Sequence, residues 1–435
     1  MCGRAIKVML FLIMLALAAC RPGLTSTPTP APTQVSAPLG IYFSIRDQMT
    51  YDSPPPPPYH LFALNASDGK VRWSRPGSNP TALDPAEIRP ILDHGVIYIG
   101  DQGISAINAS TGAMLWHYQA DGTNQAHAII NRVVYATEVD TFNGELYALD
   151  ANTGKLLWRS ATLTNLRLLS ISVTDNLIYA ADPDTPGNLT AYSTANGAQL
   201  WRYQADGNNL VYFEQADSDH VYATVTDNAL QGFLAVLDTR NGSQQWRFPR
   251  TAPGNITMEG AGQGLVYVAS WDDSSLYALN TSDGSVKWQA PLGLVGSVSL
   301  TSDTLYVSSA SATIYALDPE DGTVKWQVQM SGHIRDFDTR VQEAQQGLLY
   351  VSQTQDGIYA LNTSDGSVKW HSASGGLAQG IDFSVLGASN GAVYLDVFNN
   401  NVPNPDTLYA LNTADGSLLW SYHVIGEADF SFILG

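Results

Sequence analysis

The sequence predicts an all-β propeller of four-stranded blades, and three observations carry that prediction. A glycine stands four residues ahead of a tryptophan nine times: Gly69/Trp73, Gly112/Trp116, Gly154/Trp158, Gly197/Trp201, Gly242/Trp246, Gly284/Trp288, Gly322/Trp326, Gly366/Trp370 and Gly416/Trp420. Successive tryptophans lie 38 to 50 residues apart, the period of a propeller blade. The segments between them are short β-forming runs bounded by turn residues, too short for helices.

Each unit begins with a leading strand, exemplified by Glu87 to Asp93, Asn209 to Asp217 and Val295 to Thr301. A buried strand centred on a tyrosine follows, at Tyr42, Tyr98, Tyr135, Tyr179, Tyr222, Tyr267, Tyr306, Tyr350 and Tyr394. The third strand has the form Leu-Tyr-Ala-Leu, with Val236 replacing the alanine once. A small residue kept at one place implies close approach by a neighbouring sheet. An Asn, Asp or Ser then stands four residues before each glycine, from Asn65 to Asn412. Its side chain can bond the backbone two residues on, and the glycine accepts a positive φ, so the motif closes a hairpin. The tryptophan lies on the fourth strand, where a large ring is expected to pack between units.

The first unit lacks a leading strand, since Leu39 to Asp47 already carries its tyrosine, whereas the chain ends on Glu427 to Leu434 with no tyrosine strand after it. The terminal segment is therefore expected to close the ring and remove the exposed sheet edges. All nine copies accommodate four strands, which favours nine blades over an eight-bladed ring with one unit outside it.

The strings Leu-Tyr-Ala-Leu-Asp-Ala-Asn-Thr-Gly-Lys-Leu-Leu-Trp at 146 to 158 and Ala-Leu-Asn-Thr-Ser-Asp-Gly-Ser-Val-Lys-Trp, present at both 278 to 288 and 360 to 370, resemble the pyrroloquinoline-quinone-type propeller repeat. The resemblance runs from Leu39 to Gly435. It implies tryptophans that dock neighbouring blades, and most members of the family have eight blades. In layout the chain is similar to the BamB family of envelope lipoprotein propellers that assist outer-membrane β-barrel assembly. Among quinone dehydrogenases of this repeat type, several classes stack a disulfide of adjacent cysteines on the cofactor. Here Cys2 and Cys20 are the only cysteines, and there is no Cys-x-x-Cys-His haem site. No catalytic residue, cofactor-binding residue or metal ligand is assigned, and no cofactor is expected.

Residues 1–20 read as an export signal: Arg4 and Lys7 precede the apolar run Val8 to Ala19, which is too short to span a membrane. Leu17-Ala18-Ala19-Cys20 resembles a lipoprotein cleavage box, making Cys20 the expected lipid attachment site. Arg21 to Pro38, with five prolines and no acidic residue, reads as an extended tether. The propeller then occupies residues 39–435. Formal net charge is −19, and −22 from Leu39 onward, which argues against nucleic acid and against direct adsorption to anionic lipid. The expected location is a membrane-anchored lipoprotein on the periplasmic or extracellular side.

Other motifs carry no chemistry. The histidines, among them His60, His127 and His220, never take zinc-protease spacing and read as surface or loop residues. Gly260 to Gly264 reads as a hairpin turn rather than a phosphate loop. Asp182 and Asp184, or Asp336 and Asp338, lack calcium-loop spacing and read as solvated turn carboxylates.

Recognition is expected where connection length varies, between the tyrosine and alanine strands: Gln48 to Tyr59, Glu138 to Gly144, Ala181 to Asn188, Thr226 to Gln231, Trp271 to Ser274 and Asn399 to Asp406. Candidate binding residues on that face are Trp271, Asp272 and Asp273. The Asp-Phe pairs Asp336/Phe337, Asp382/Phe383 and Asp429/Phe430, near the channel mouth, join them. The functional expectation is a non-enzymatic scaffold for an envelope protein partner. Two alternatives stand beside it: a quinone-dependent oxidoreductase, and a carbohydrate or small-ligand binder.

Overall fold

The structure is a computed structural model. It describes residues 40–434 except 47–58, 78–89, 141–142, 164–169, 175, 183–186, 208, 228, 230, 250–253, 331–338, 355, 374–381, 399–406 and 424–426. The expected signal, Cys20 and the tether all lie outside the described residues, as do the loop tips at 48–58 and 399–406.

Nine antiparallel four-stranded sheets form the nine blades of a propeller ring. Blade 2 shows the pattern: leading strand Ile91–Asp93, tyrosine strand Val96–Asp101, alanine strand Gly103–Asn108 and tryptophan strand Met114–Gln119. Successive leading strands touch one another from blade 2 round to blade 1, forming the inner circle, and the tryptophan strands form the outer edge. Ring closure is as expected from the sequence. Glu427–Leu434 pairs antiparallel with Gly40–Arg46, from Arg46 opposite Glu427 to Ile41 opposite Leu434, and so becomes the leading strand of blade 1.

The repeat glycine and tryptophan meet across each blade junction. All nine repeat glycines have φ between 66 and 74°. Each also leaves space that the tryptophan of the preceding blade fills: a methyl built on Gly416 would lie 2.6 Å from Trp370 Cε3, and one on Gly69 would lie 2.6 Å from Trp420 Cε3. Every indole Nε1 donates to the carbonyl one residue past the Asn, Asp or Ser of that same turn, at 2.8 to 3.0 Å. Trp73 bonds Ala109, Trp116 bonds Ala151 and Trp158 bonds Thr194. Trp201 bonds Thr239, Trp246 bonds Thr281 and Trp288 bonds Pro319. Trp326 bonds Thr363, Trp370 bonds Thr413 and Trp420 bonds Ala66. The last of these joins blade 9 to blade 1, reinforced by Tyr394 Oη donating to the same carbonyl at 3.2 Å. Turn, glycine and ring therefore act as one joint, repeated until the circle closes.

Packing between units is thus the place of all nine tryptophans, but their enclosure is uneven. Trp201, Trp246, Trp288, Trp370 and Trp420 are buried, whereas Trp73, Trp116, Trp158 and Trp326 are only half-buried. The tryptophan strand is the outer edge of its sheet, so solvent reaches the rim of a ring whose inner side faces the next blade.

The alanine has a reason within its own sheet that the sequence reading did not identify. In blade 1, Ala63 stands opposite Tyr42 on one side and Trp73 on the other, and the two rings meet over it with centroids 6.1 Å apart. The same tyrosine–tryptophan approach, at 5.8 to 6.2 Å, recurs in every blade that has the alanine. A larger side chain would hold the rings apart. In the Val236 blade, the Tyr222 hydroxyl donates to Asp217 Oδ2 at 2.7 Å.

Apolar clusters sit between blades rather than within them. One joins Tyr350 and Trp370 of blade 8 to Phe383, Val393 and Leu395 of blade 9, and another joins Ile41 and Phe43 of blade 1 to Tyr394 and Trp420 of blade 9. Burial of this kind stabilises by about 25 cal/mol per Å² of apolar surface. Each junction thus draws on its neighbours, and the ring behaves as a single packed body.

Candidate functional site

Alternating strand directions give the ring two unlike faces. The turn face carries the leading-to-tyrosine turns and the uniform glycine hairpins. The loop face carries the tyrosine-to-alanine connections and the links between blades.

On the loop face, Trp271, Asp272 and Asp273 occupy the connection between Leu265–Ser270 and Ser275–Asn280. Trp271 is 38 % exposed. Its backbone N–H donates to Asn255 O at 2.9 Å, and Asp272 Oδ2 accepts from Asn255 N at 3.1 Å. Asp273 accepts from Tyr277 Oη and, at 3.3 Å, from Gln289 Nε2. Both carboxylates therefore hold this loop in shape, Asp272 binding it to the incoming link and Asp273 to the strands of its own blade. That link is fixed on its other side too, because Gly254 and Gly232 exchange two backbone bonds of 2.9 Å. The result is an indole presented on a stiff support. Each of the nine repeat tryptophans has its ring N–H committed to the neighbouring blade and so serves a joint. A second stiffened loop rises from blade 3, where Arg159 donates to Glu138 at 2.6 Å and Glu145 at 3.0 Å, and to Tyr118 Oη at 3.0 Å. This clamps the stems of the 138–144 connection.

Of the Asp-Phe pairs, Phe383 is the one residue whose side chain is described. Phe383 is buried between blades 8 and 9. Asp336 and Phe337 lie outside the described residues, as does Asp338. For Asp382, Asp429 and Phe430 only the backbone is described: Asp382 pairs with Phe398, and Asp429 with Ser44. Asp182 pairs with Asn188, and Asp184 lies outside the described residues.

Sequence reasoning missed a set of polar groups along the inner circle. Most leading strands carry a register shift, and the extra residue is His127 in blade 3, Glu214 in blade 5, Glu259 in blade 6 and Gln342 in blade 8. A bulge re-aims the side chain it displaces. His127 Nε2 meets Thr137 Oγ1 at 2.9 Å, Gln342 Nε2 meets Ser352 Oγ at 2.8 Å, and Glu259 Oε1 accepts from Thr257 Oγ1 at 2.6 Å. His127 stands half-buried on an inner strand rather than in a surface loop, and burial lowers its pKa to about 4. Burial raises both Glu214 and Glu259, and the charge of Glu214 pushes Glu259 further. In blade 9, burial raises Asp396 to about 7, and its Oδ1 has no hydrogen-bond partner among the described residues. One signal was readable: a polar residue two places after the tyrosine, as in Thr137, Thr224, Ser308, Ser352 and Asp396.

These groups can bind and exchange protons. Among the described residues no three His, Cys, Asp or Glu side chains converge. Among the same residues no helix is long and apolar enough to cross a membrane.

Comparison with known proteins gives the family. The family model for outer membrane protein assembly factor BamB matches residues 58–142, 127–259, 230–380 and 314–431. The outer membrane protein assembly factor BamB of Yersinia pestis is 26 % identical over 279 residues, covering 58 % of this chain and 65 % of that protein. A quinohemoprotein alcohol dehydrogenase of Pseudomonas putida is 26 % identical over 178 residues, covering 36 % of this chain and 25 % of that protein. The chain thus spans between a quarter and two-thirds of these relatives. A solved eukaryotic initiation factor shares the fold, with TM-score 0.61, 11 % identity, and coverage of 91 % of this chain and 98 % of that one. On nine repeats, nine blades and a family match running from residue 58 to 431, the chain belongs to the BamB family of quinone-type-repeat propellers.

Proposed function

We propose that this protein is an exported, lipid-anchored scaffold that captures a protein partner of the cell envelope on its loop face. The observation that carries this reading is the contrast between the faces: uniform hairpins on one, and on the other connections of varied length held by the Asp272 and Arg159 contacts. Rigidly supported variable loops cost little to order on binding. Membership of the BamB family supports an assembly role, and the anchor rests on Cys20.

Capture from detergent-solubilised membranes tests the reading. Trp271→Ala, or shortening residues 48–58, is expected to weaken capture without lowering the melting temperature, since truncating an aromatic hot spot costs about 2 kcal/mol or more. Unchanged capture by both variants, with loss on altering the turn-face residues Asp283 and Asp365, would move recognition to the turn face and end this reading. The quinohemoprotein relative keeps one rival in view. Saturable dye reduction on adding pyrroloquinoline quinone and calcium would establish that rival, and none is expected from a sequence without adjacent cysteines or a Cys-x-x-Cys-His site.

A further inference from the structure

A cleft of about 520 Å³ opens on the turn face between blades 4 and 5, away from the variable loops. Its size falls in the range of ligand sites. Leu177, Leu200 and Ala216 line it over Tyr179, which stacks on Phe213 with centroids 5.1 Å apart. Leu200 is 54 % exposed on an outer strand. Blades 6, 7 and 8 carry a lysine at that place, Lys287, Lys325 and Lys369, each directly before the repeat tryptophan. Charge on an edge strand discourages association, so leucine here leaves an apolar surface uncovered.

The turns beside the cleft differ from most others. Blades 2, 3, 6, 8 and 9 close their first hairpin with two residues at positive φ, such as His94/Gly95 and Asn390/Gly391. Blades 4 and 5 use side-chain caps instead: Thr174 Oγ1 accepts from Leu177 N at 3.3 Å, and Asp217 Oδ1 accepts from Asp219 N and His220 N at 2.8 Å each. Asp217 stays accessible at the rim, with 40 % of its side chain exposed. Burial opposes its ionisation, but the donors from Asp219, Tyr222 and His220 outweigh that and keep it below the usual carboxylate range. Across the cleft Arg240 is spent on Asp238, bonding it through Nε at 3.0 Å and Nη2 at 2.5 Å. Among the described residues the one ionisable side chain that pairs with Asp217 as a cation would is His220, at 3.2 Å, and no lysine or arginine bonds it. The rim is therefore negative over an apolar floor.

We propose that this cleft receives a partner-protein segment in which a large apolar side chain covers Leu177 and Leu200 while a neighbouring lysine or arginine meets Asp217. This goes beyond the loop-face reading and does not depend on it.

Titration of the full chain with acetylated, amidated pentapeptides, followed by saturation-transfer NMR, tests the idea. Peptides centred on Leu-Lys are expected to bind about tenfold more tightly than matched Leu-Glu or Gly-Lys peptides. Leu200→Lys, which copies the residue of blades 6 to 8 and so should fold, is expected to remove that preference, and Asp217→Asn to remove the Lys-over-Glu part of it. Trp271→Ala should change nothing here, which separates this site from the loop face. Equal binding of the three peptides, or an unchanged preference in Leu200→Lys, would overturn the proposal even if Asp217→Asn failed to fold.

Discussion

Replacing Gly416 by alanine tests the joint that makes the ring. Gly416 sits at φ 72°, and its added methyl would lie 2.6 Å from Cε3 of Trp370, whose Nε1 bonds Thr413 O at 2.9 Å. Two costs therefore add: about 1–2 kcal/mol for placing alanine in the left-handed region, and about 1–3 kcal/mol for displacing a packed ring. Gly391, in the same blade, isolates the first, because its φ is 79° and nothing lies within 4 Å of its would-be Cβ. Gly391→Ala should cost about 1–2 kcal/mol and Gly416→Ala about 2–5 kcal/mol. Urea midpoints at constant slope give both values, and Trp fluorescence reports the displaced ring. Equal destabilisation by the two substitutions would refute the claim that the glycine is a seat for the neighbouring blade's tryptophan.

Deleting residues 427–435 should expose the edge of Gly40–Arg46 and cause a lower melting temperature or aggregation; an unchanged melt would show that closure does not need this strand. Asp396 ionises less readily in the fold than in the unfolded chain, so stability should fall as pH rises from about 4 to about 7 and stay lowered above that. Asp396→Asn should remove this dependence, and parallel pH–melting curves for variant and wild type would contradict it. His127 has the opposite dependence: being held neutral, it contributes stability that is lost as pH falls from about 6.5 toward about 4. An NMR titration midpoint near 6.5 for its ring would contradict its enclosure.

Architecture was legible because each joint is written locally. The Asn–Gly–Trp spacing encodes turn, seat and ring within nine residues, and blade count follows from counting joints. The missing leading strand of blade 1 and the surplus strand at the end were equally visible, since each breaks the period. The bulges of the inner circle were not legible, because a bulge depends on register between two strands; nothing local distinguishes His127 or Glu214 from its neighbours. Phe383 next to Asp382 looked like a possible site residue, yet its burial is set by Trp370 and Tyr350 of the preceding blade. The blade 4 and 5 cleft was hidden for a related reason. It arises from two capped turns and one leucine that lie far apart in the chain but adjacent in the ring.

Photo-crosslinking in the native membrane tests the central claim most directly. A photoreactive residue placed at Trp271 on the loop face, compared with one at Asp283 or Asp365 on the turn face, should give a discrete adduct to an envelope protein from the loop-face position alone. Adducts arising only from Asp283 or Asp365, or no adduct from Trp271 in membranes where the protein is anchored, would contradict recognition through the loop face.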